Sequence, residues 1–392
     1  MKITVIGVGQ CGSQIADQFA RLNRRARSQR GLTIVPDAFA VNTGIAELER
    51  VQHIPSDYRH RILIGGGRTR GHGAAKIGET GAQVAREDRD KVITAVRETK
   101  RFHEADAILV VAATGGGTGS GAMPILAEAF KERFWSKPVY CMAVLPFEHE
   151  EDAEARTIYN TALCLKASHS VADAVFLVEN QRFLRKDSTL RYNNERINEL
   201  IVEPFYNLLC AGEERNAKRI GTRVLDAADI TETLGGWTTI GYGRSLVDLI
   251  TLPFESDRDY RKSGARLERG RLALDDAISS LSAQCNPAEA TSALYLVSAP
   301  AVEMQANLLN ELSQYLRNLA PNAMMRIGDY PDERGVIDVV VILSRFTRPG
   351  LLKKYFQKAT TLLERTRKRE AKVRRPFPPD EDDAAAQLPT LL

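Results

Sequence analysis

Short apolar runs alternate with helical stretches through the first half of the chain. The runs are continuous rather than alternating with polar residues, which is typical of strands buried on both faces of a parallel sheet. The pattern predicts an α/β domain at residues 1–190. Its predicted strands lie at residues 3–6, 38–42, 61–64, 107–113, 139–145 and 174–178.

The second half of the chain has a different pattern. Apolar positions at helical spacing from 194 to 211 predict a long helix, which Pro204 should kink or break. We assign residues 191–212 to a central helix and 213–372 to a smaller α+β domain. That domain begins with a short acidic loop at 224–230, and its predicted strands and helices follow: strands at 293–297 and 336–343, helices at 302–319 and from 351 onward.

Glycine-rich or polar segments follow strand after strand. The sequence GGGTGSG at 115–121 lies between a buried strand and a helix, where backbone N–H groups and the start of the helix can bind phosphate. A flexible linker is the alternative, but linkers do not lie in such a position. A second loop, GVGQCG at 7–12, follows the first strand. Because ligands bind at the carboxyl ends of parallel strands, two loops there indicate a polyphosphate ligand.

Two other phosphate-binding classes fit less well. An NAD-dependent oxidoreductase would have an acidic residue after the second strand to bind ribose, and this chain has Asn42, Thr43 and Gly44. An oxidoreductase of this kind also has no use for a second glycine loop, so this class stays a minor alternative. No GxxxxGK[ST] segment is present, which excludes an ordinary P-loop NTPase.

Composition narrows the class further. A formal net charge of +4 over 392 residues gives no argument for nucleic acid binding. The five cysteines show no CxxC spacing, which is typical of a reducing compartment rather than of disulfides or a zinc site. No apolar segment is long enough for a signal peptide or a membrane span, so we expect a cytoplasmic protein.

Several of these segments resemble one family. The GGGTGSG loop is similar to the signature loop of the tubulin/FtsZ superfamily of GTPases. The sequence GQCGSQI at 9–15 resembles the first nucleotide loop of tubulin, whereas TRGHGA at 69–74 and the positions of Pro146, Phe147 and Asn180 resemble FtsZ. This mixture resembles the CetZ group of archaeal cytoskeletal proteins. The resemblance implies a parallel-sheet GTP-binding domain, a central helix and a smaller α+β C-terminal domain.

The resemblance also implies a GTP site across the strand ends. The first loop and the signature loop would bind the α- and β-phosphates, and Gly73, Ala74 and Ala75 would sense the γ-phosphate. Mg²⁺ and backbone dipoles would balance the phosphate charge, with Arg156 as a helper and no separate protein metal site. Glu150, with Glu148 and Glu151 as competitors, would contact the ribose. The implied nucleotide-binding residues are Gly9, Gln10, Cys11, Gly12, Gln14, Asn42, Gly73, Ala74, Ala75, Gly115, Gly116, Gly117, Thr118, Gly119, Ser120, Glu150, Arg156, Asn180, Asn194 and Asn198.

Some of these assignments stay open. Asn180 would bind guanine, and either Asn194 or Asn198 would be the second base contact, with Tyr192 available to stack. Asn194 could instead cap a helix. Cys11 could contact the nucleoside or only pack beneath the loop.

Asp226 and Asp229 resemble the two acids of the family's catalytic loop. In this superfamily that loop completes the active site of the next subunit in a filament, where a carboxylate can position the attacking water. Two acids at this spacing could also be a helix N-cap and its first turn. Gly44 and Val224 replace an Asp and an Asn of the FtsZ pattern, which predicts slow hydrolysis.

The implied function is a GTPase that hydrolyses GTP to GDP and phosphate and polymerises head-to-tail with itself, with a role in cell shape or division. A GTP-binding regulator that does not polymerise is the alternative. The basic segment at 365–375 and the disordered acidic tail at 373–392 could bind an adaptor or a membrane, but an amphipathic helix end with a solubilising tail is favoured.

Overall fold

A computed structural model of the chain describes residues 1–184, 190–247, 259–347 and 349–373, with backbone alone at 190–192, 259–263 and 365–373. The predicted acidic tail and the end of the basic segment lie outside the described residues. The described ranges contain ten strands, numbered β1 to β10 in chain order, which form one sheet in the order β3-β2-β1-β4-β5-β6-β7-β10-β8-β9.

The first six strands pair in parallel, as the continuous apolar runs predict. They are β1 (Ile3–Val8), β2 (Ala38–Asn42), β3 (Arg61–Leu63), β4 (Ala107–Ala113), β5 (Val139–Leu145) and β6 (Ala174–Glu179). The helices between them are α1 (Gly9–Arg30), α2 (Ile45–Glu49), α3 (Gly66–Thr69), α4 (Gly78–Arg97), α5 (Thr118–Arg133), α6 (Glu148–Ala153) and α7 (Ala155–Val171).

Helices cover both faces of this half of the sheet. Ile6 and Val8 of β1 belong to one hydrophobic core, and Ile3 and Val5 belong to the other. Successive side chains of a strand point to opposite faces, so each apolar run supplies both cores. This burial on two sides holds the strand ends, and the loops that follow them, in fixed positions.

The central helix is broken where the sequence predicts. After α8 (Asn180–Phe183), helix α9 (Leu190–Val202) ends just before Pro204, and α10 (Phe205–Ala211) begins just after it. Proline removes one helical hydrogen bond and its ring crowds the preceding turn, which explains the break.

The C-terminal half continues the same sheet. Its strands are β7 (Gly236–Leu246), β8 (Ser292–Ala299), β9 (Met324–Pro331) and β10 (Val336–Phe346), and its helices are α11 (Ala227–Thr233), α12 (Asp259–Ser279), α13 (Ala306–Leu319) and α14 (Gly350–Val373). The sequence predicted β8, β10, α13 and α14 but not β7, β9 or α12. The segment at 224–230, predicted as a loop, instead contains the start of α11. Strand β7 pairs with β6 in parallel and with β10 in antiparallel fashion, so it joins the two halves.

Candidate functional site

A cavity of about 440 Å³ lies at the carboxyl ends of β1, β2, β4, β5 and β6. Of the 20 nucleotide-binding residues that the resemblance implies, all but Gly12, Ser120 and Arg156 line it. The predicted residues that line it are Gly9, Gln10, Cys11, Gln14, Asn42, Gly73, Ala74, Ala75, Gly115, Gly116, Gly117, Thr118, Gly119, Glu150, Asn180, Asn194 and Asn198. The sheet therefore brings together segments that are far apart in the sequence.

The first glycine loop is the start of a helix. Helix α1 already begins at Gly9, whose φ of +72° favours glycine, and a Cβ there would lie 3.2 Å from the nitrogen of Gly119. Gly12 faces the sheet, because a Cβ there would collide with the carbonyl of Val111. Gly12 thus lets α1 approach the sheet, and the first loop and the signature loop touch each other.

The signature loop leads into α5 with the start of that helix directed at the cavity. Gly115, Gly116 and Gly117 connect β4 to α5, which begins at Thr118. The Ser120 hydroxyl donates to the carbonyls of Gly116 and Gly117, so it stabilises the loop from within and does not line the cavity. The first backbone N–H groups of a helix have no partners inside the helix, so those of α5 are available to an anion.

The loop between α3 and α4 packs against the signature loop. Ala75 and Lys76 have φ values of +47° and +57°, which cost free energy for residues with a side chain. A Cβ on Gly117 would lie 2.9 Å from the Cα of Lys76. Because the two loops are in direct contact, glycine is required at 117.

Asn160 of α7 binds both loops, and sequence reasoning missed it. Its side chain is 2% exposed, and its Nδ2 donates to the carbonyls of Lys76 at 2.9 Å, Gly116 at 3.1 Å and Gly115 at 3.2 Å. A single asparagine inside a helical stretch gives no motif that could have revealed this role. Asn160 fixes the distance between the two loops.

A carboxylate of α2 lies beside Gly44, just after the end of β2. A Cβ on Gly44 would collide with the carboxylate of Glu47, and Glu47 lines the cavity. A carboxylate therefore lies beside position 44 although that residue is glycine. Asn42 also lines the cavity, and its buried Nδ2 has no partner among the described residues, so it can donate to a ligand.

The cavity residues fit a magnesium–nucleotide complex. Mg²⁺ that binds with a nucleotide takes one or two protein carboxylates, phosphate oxygens and waters. Glu47 offers such a carboxylate next to the phosphate-binding loops. Within the described ranges, no group of three or more His, Cys, Asp or Glu residues could hold a metal.

Among the amides that line the cavity, Asn198 contacts Gln14. The Nδ2 of Asn198 lies 3.5 Å from the Oε1 of Gln14, and Asn198 is buried whereas Asn194 is exposed. Asn180 begins α8, directly after β6. The side chain of Tyr192 lies outside the described residues. Burial, followed by the charge of Glu150, raises the pKa of the Cys11 thiol to about 12, so this cysteine, which lines the cavity, is neutral.

The three neighbouring glutamates differ in what they contact. Glu150 lines the cavity, and its Oε2 accepts a hydrogen bond from the Phe147 nitrogen at 2.9 Å, at the start of α6. Glu151 is buried against Tyr355 and Lys358 of α14, and Glu148 is exposed. Of these three glutamates, only Glu150 is thus placed to contact a ligand in the cavity.

The predicted helper Arg156 points elsewhere. Its Nη2 lies 2.8 Å from the Oε2 of Glu79, and it does not line the cavity. Lys76, which the sequence analysis did not select, lines the cavity instead. The signal that could have found it is its place in the predicted γ-phosphate loop.

The two predicted catalytic acids lie at the opposite end of the sheet. Asp226 caps α11 by accepting from the Asp229 nitrogen at 2.9 Å, and the Asp226 nitrogen donates to the Oδ2 of Asp229 at 3.4 Å. The other Asp229 oxygen lies 3.3 Å from the Nε of Arg326. The helix cap that the sequence suggested is therefore present. Asp226 is exposed, and its second oxygen accepts no hydrogen bond from the residues that the structure describes.

The acids and the cavity lie at opposite ends of β1, so the length of this strand separates them. A Cβ on Gly212 would lie 3.2 Å from the Cα of Asp226 and 3.5 Å from the nitrogen of Met1, which precedes β1. The cavity begins at Val8, the last residue at the other end of β1. At a rise of about 3.3 Å per residue, the strand spans roughly 17 Å. The acids cannot reach the cavity of their own chain.

A parallel sheet with glycine loops at its strand ends, joined through a broken helix to a mixed sheet, defines a tubulin-like nucleotide-binding fold. Residues 2–187 match the model of the Tubulin/FtsZ family, GTPase domain, and residues 187–361 match that of the Tubulin-like CetZ, C-terminal domain. The chain is 31% identical to the Tubulin-like protein CetZ1 of Haloferax volcanii over 346 residues, which cover 84% of each chain. It belongs to the CetZ family of tubulin-like proteins.

Two solved structures have the same fold at 28% identity and a TM-score of 0.78 each. One is the GDP bound monomer of CetZ1 from Haloferax volcanii, and the match covers 93% of this chain and 100% of that one. The other is the GTPgS bound protofilament of CetZ2 from Haloferax volcanii, with 94% and 100% covered. The expected fold class and family are confirmed. The domain boundaries at 190, 212 and 372 and the ligand contacts of the site residues stay predictions.

Within the part of the chain that the structure describes, no helix combines the length and the apolar character needed to cross a membrane.

Proposed function

We propose that this protein binds and hydrolyses GTP and assembles head-to-tail into protofilaments, in which Asp226 and Asp229 of one subunit complete the active site of the next. The observation that carries the proposal is the placement of the cavity and the acids at opposite ends of β1. Contacts between such unlike ends do not close, so they generate filaments. One relative is described as GDP bound and another as a GTPgS bound protofilament, which supports nucleotide binding and head-to-tail assembly.

The cavity side would bind and orient the nucleotide. Backbone N–H groups at the starts of α1 and α5 would bind the phosphates, and Asn42 would donate to them. Asn180 and Asn198 would bind the guanine, with Asn198 rather than Asn194 favoured by its burial and its contact with Gln14. Mg²⁺, bound by Glu47 and the phosphates, would spread the negative charge that develops during hydrolysis.

The acid side would position water. An exposed carboxylate oxygen on Asp226 can accept a hydrogen bond from a water molecule held against the next subunit's nucleotide. Asp229 has one oxygen in the cap and the other beside Arg326, so it would hold Asp226 in place. This division of labour makes Asp226 the acid that acts on the water. A role in cell shape or division would follow from the filament.

The test is GTP turnover per subunit, measured with pelleting, as protein concentration rises. An active site shared between subunits predicts a cooperative rise in turnover per subunit that coincides with assembly. Turnover per subunit that stays constant, with GTP bound, contradicts shared catalysis. NADH is titrated alongside GTP, and binding of NADH without binding of GTP contradicts the proposed nucleotide site.

A further inference from the structure

Among the residues that the structure describes, Lys76 is the only lysine or arginine that lines the cavity. Among the described residues that line the cavity, the charged side chains are Glu47, Glu150 and Lys76, with His72 as a further titratable group. A nucleoside triphosphate brings more negative charge than a diphosphate into this already acidic surrounding. Lys76 is therefore the one permanently cationic side chain among them that can offset the added charge.

The backbone brings Lys76 to the phosphate-binding loop. Its Cα would be 2.9 Å from a Cβ on Gly117, and its carbonyl accepts from Asn160, which also binds Gly115 and Gly116. The side chain carries its ammonium group on a flexible four-carbon stem. A phosphate bound by the signature loop thus lies within reach of this group.

In the structure, the ammonium group of Lys76 is bound elsewhere. Its Nζ lies 3.0 Å from the Oε1 of Glu154, between α6 and α7, and both side chains are about half exposed. An exposed pair of this kind contributes little stability. A phosphate oxygen that carries more charge can therefore compete with Glu154 for Lys76.

We propose that Lys76 is the residue that distinguishes GTP from GDP: it leaves Glu154 and binds the γ-phosphate when a triphosphate occupies the cavity. The proposal rests on the proposed function and deepens it by assigning nucleotide-state recognition to a single side chain. It also explains how a carboxylate-rich cavity without a P-loop lysine tolerates a third phosphate.

Chain geometry offers a matched control. Arg156 of α7 lies two residues after Glu154, and Glu79 of α4 lies three residues after Lys76. They form a second exposed ion pair at 2.8 Å, but Arg156 does not line the cavity. Removal of either cation changes the net charge equally. Only the loss of Lys76 removes a charge from a residue that lines the cavity.

The experiment measures the dissociation constants of GDP and of a slowly hydrolysed GTP analogue with Mg²⁺, below the concentration at which subunits assemble. Lys76→Met should lower the preference for the triphosphate by about 10-fold or more, as expected for one charged hydrogen bond. GDP affinity should stay within about 3-fold, Lys76→Arg should keep the preference, and Arg156→Met should not alter it. Glu154→Gln, which frees Lys76, should increase it.

An unchanged ratio of triphosphate to diphosphate affinity in Lys76→Met, or an equal loss in Arg156→Met, overturns the role of Lys76. A lower ratio in Glu154→Gln also contradicts it. If the unchanged protein binds GDP, the proposed nucleotide site stands, and such a result contradicts only the role of Lys76. If the unchanged protein binds neither nucleotide, the nucleotide site itself is wrong.

Discussion

The two ends of the sheet differ in how many groups build each site. At the carboxyl ends of the strands, five strands contribute loops, and most of the expected contacts come from backbone atoms. At the opposite end, a single short helix presents two carboxylates, one of which also caps that helix. A site built from many weak contacts should lose function gradually, whereas a site built from two acids should lose it at once.

The largest effect is expected at the acid end. Asp226→Asn should lower GTP turnover about 100-fold or more, within the range for loss of a general base. Asparagine is as good a helix cap as aspartate, so α11 and GTP affinity should be retained. Phosphate release and GTP binding are measured at the same protein concentration, with exposed Asp152→Asn as the control. Normal turnover in Asp226→Asn together with low turnover in Asp226→Ala would mean that Asp226 serves only as the helix cap of α11.

An intermediate effect is expected where two loops of the cavity depend on one amide. Asn160→Ala should lower GTP affinity about 10-fold, because three loop carbonyls lose a buried donor and each such loss costs about 1–3 kcal/mol before relaxation. Asn160→Asp should be no better, since a carboxylate cannot donate. Affinity and thermal midpoint are compared with those of Lys166→Ala, an exposed change on the same helix. Unchanged affinity in both Asn160 variants would mean that the loops hold each other without α7.

The smallest effect is expected at Cys11. Its thiol is neutral well above physiological pH, because burial raises its pKa to about 12. Cys11→Ala should therefore change GTP affinity less than about 3-fold, and alkylation at pH 8 should be much slower than for a free thiol. Nucleotide titration and mass spectrometry of iodoacetamide adducts measure the two quantities. A loss of GTP affinity above 10-fold in Cys11→Ala would instead indicate that Cys11 contacts the nucleoside directly.

The difference between the two ends also explains what the sequence could predict. Strands β1, β2, β4, β5 and β6 are buried on both faces, so each is a continuous apolar run that stands out in the sequence. Strand β7 is as regular, but Gly241 and Gly243 interrupt its apolar pattern. A Cβ at either position would collide with a carbonyl of α12, so tertiary packing requires residues that locally favour a turn.

Strand β9 was missed for another reason. It lies at the edge of the sheet, its first half is partly exposed, and it contains Gly328 and Asp329. An edge strand needs fewer apolar residues, which weakens the signal. Within the cavity, the glycine loops carry a motif, whereas Glu47, Lys76 and Asn160 matter only because the fold brings them to the same place. No local pattern could have identified Glu47 or Asn160, and the one sequence signal for Lys76 is its place next to the predicted γ-phosphate loop.

The direction of the strands has a mechanical consequence for the proposed filament. Strand β1 connects the acid end to the cavity end, so tension between neighbouring subunits would act along the strands. Hydrogen bonds between parallel strands lie across that direction and would be loaded together in shear, rather than opened one after another. Between β6 and β7, only three residue pairs share this load, from Ala174 with Gly236 to Phe176 with Thr238. The neighbouring pairings of β5 with β6 and of β7 with β10 contain more residue pairs, so a stretched subunit would part between β6 and β7 before it parts at either of them.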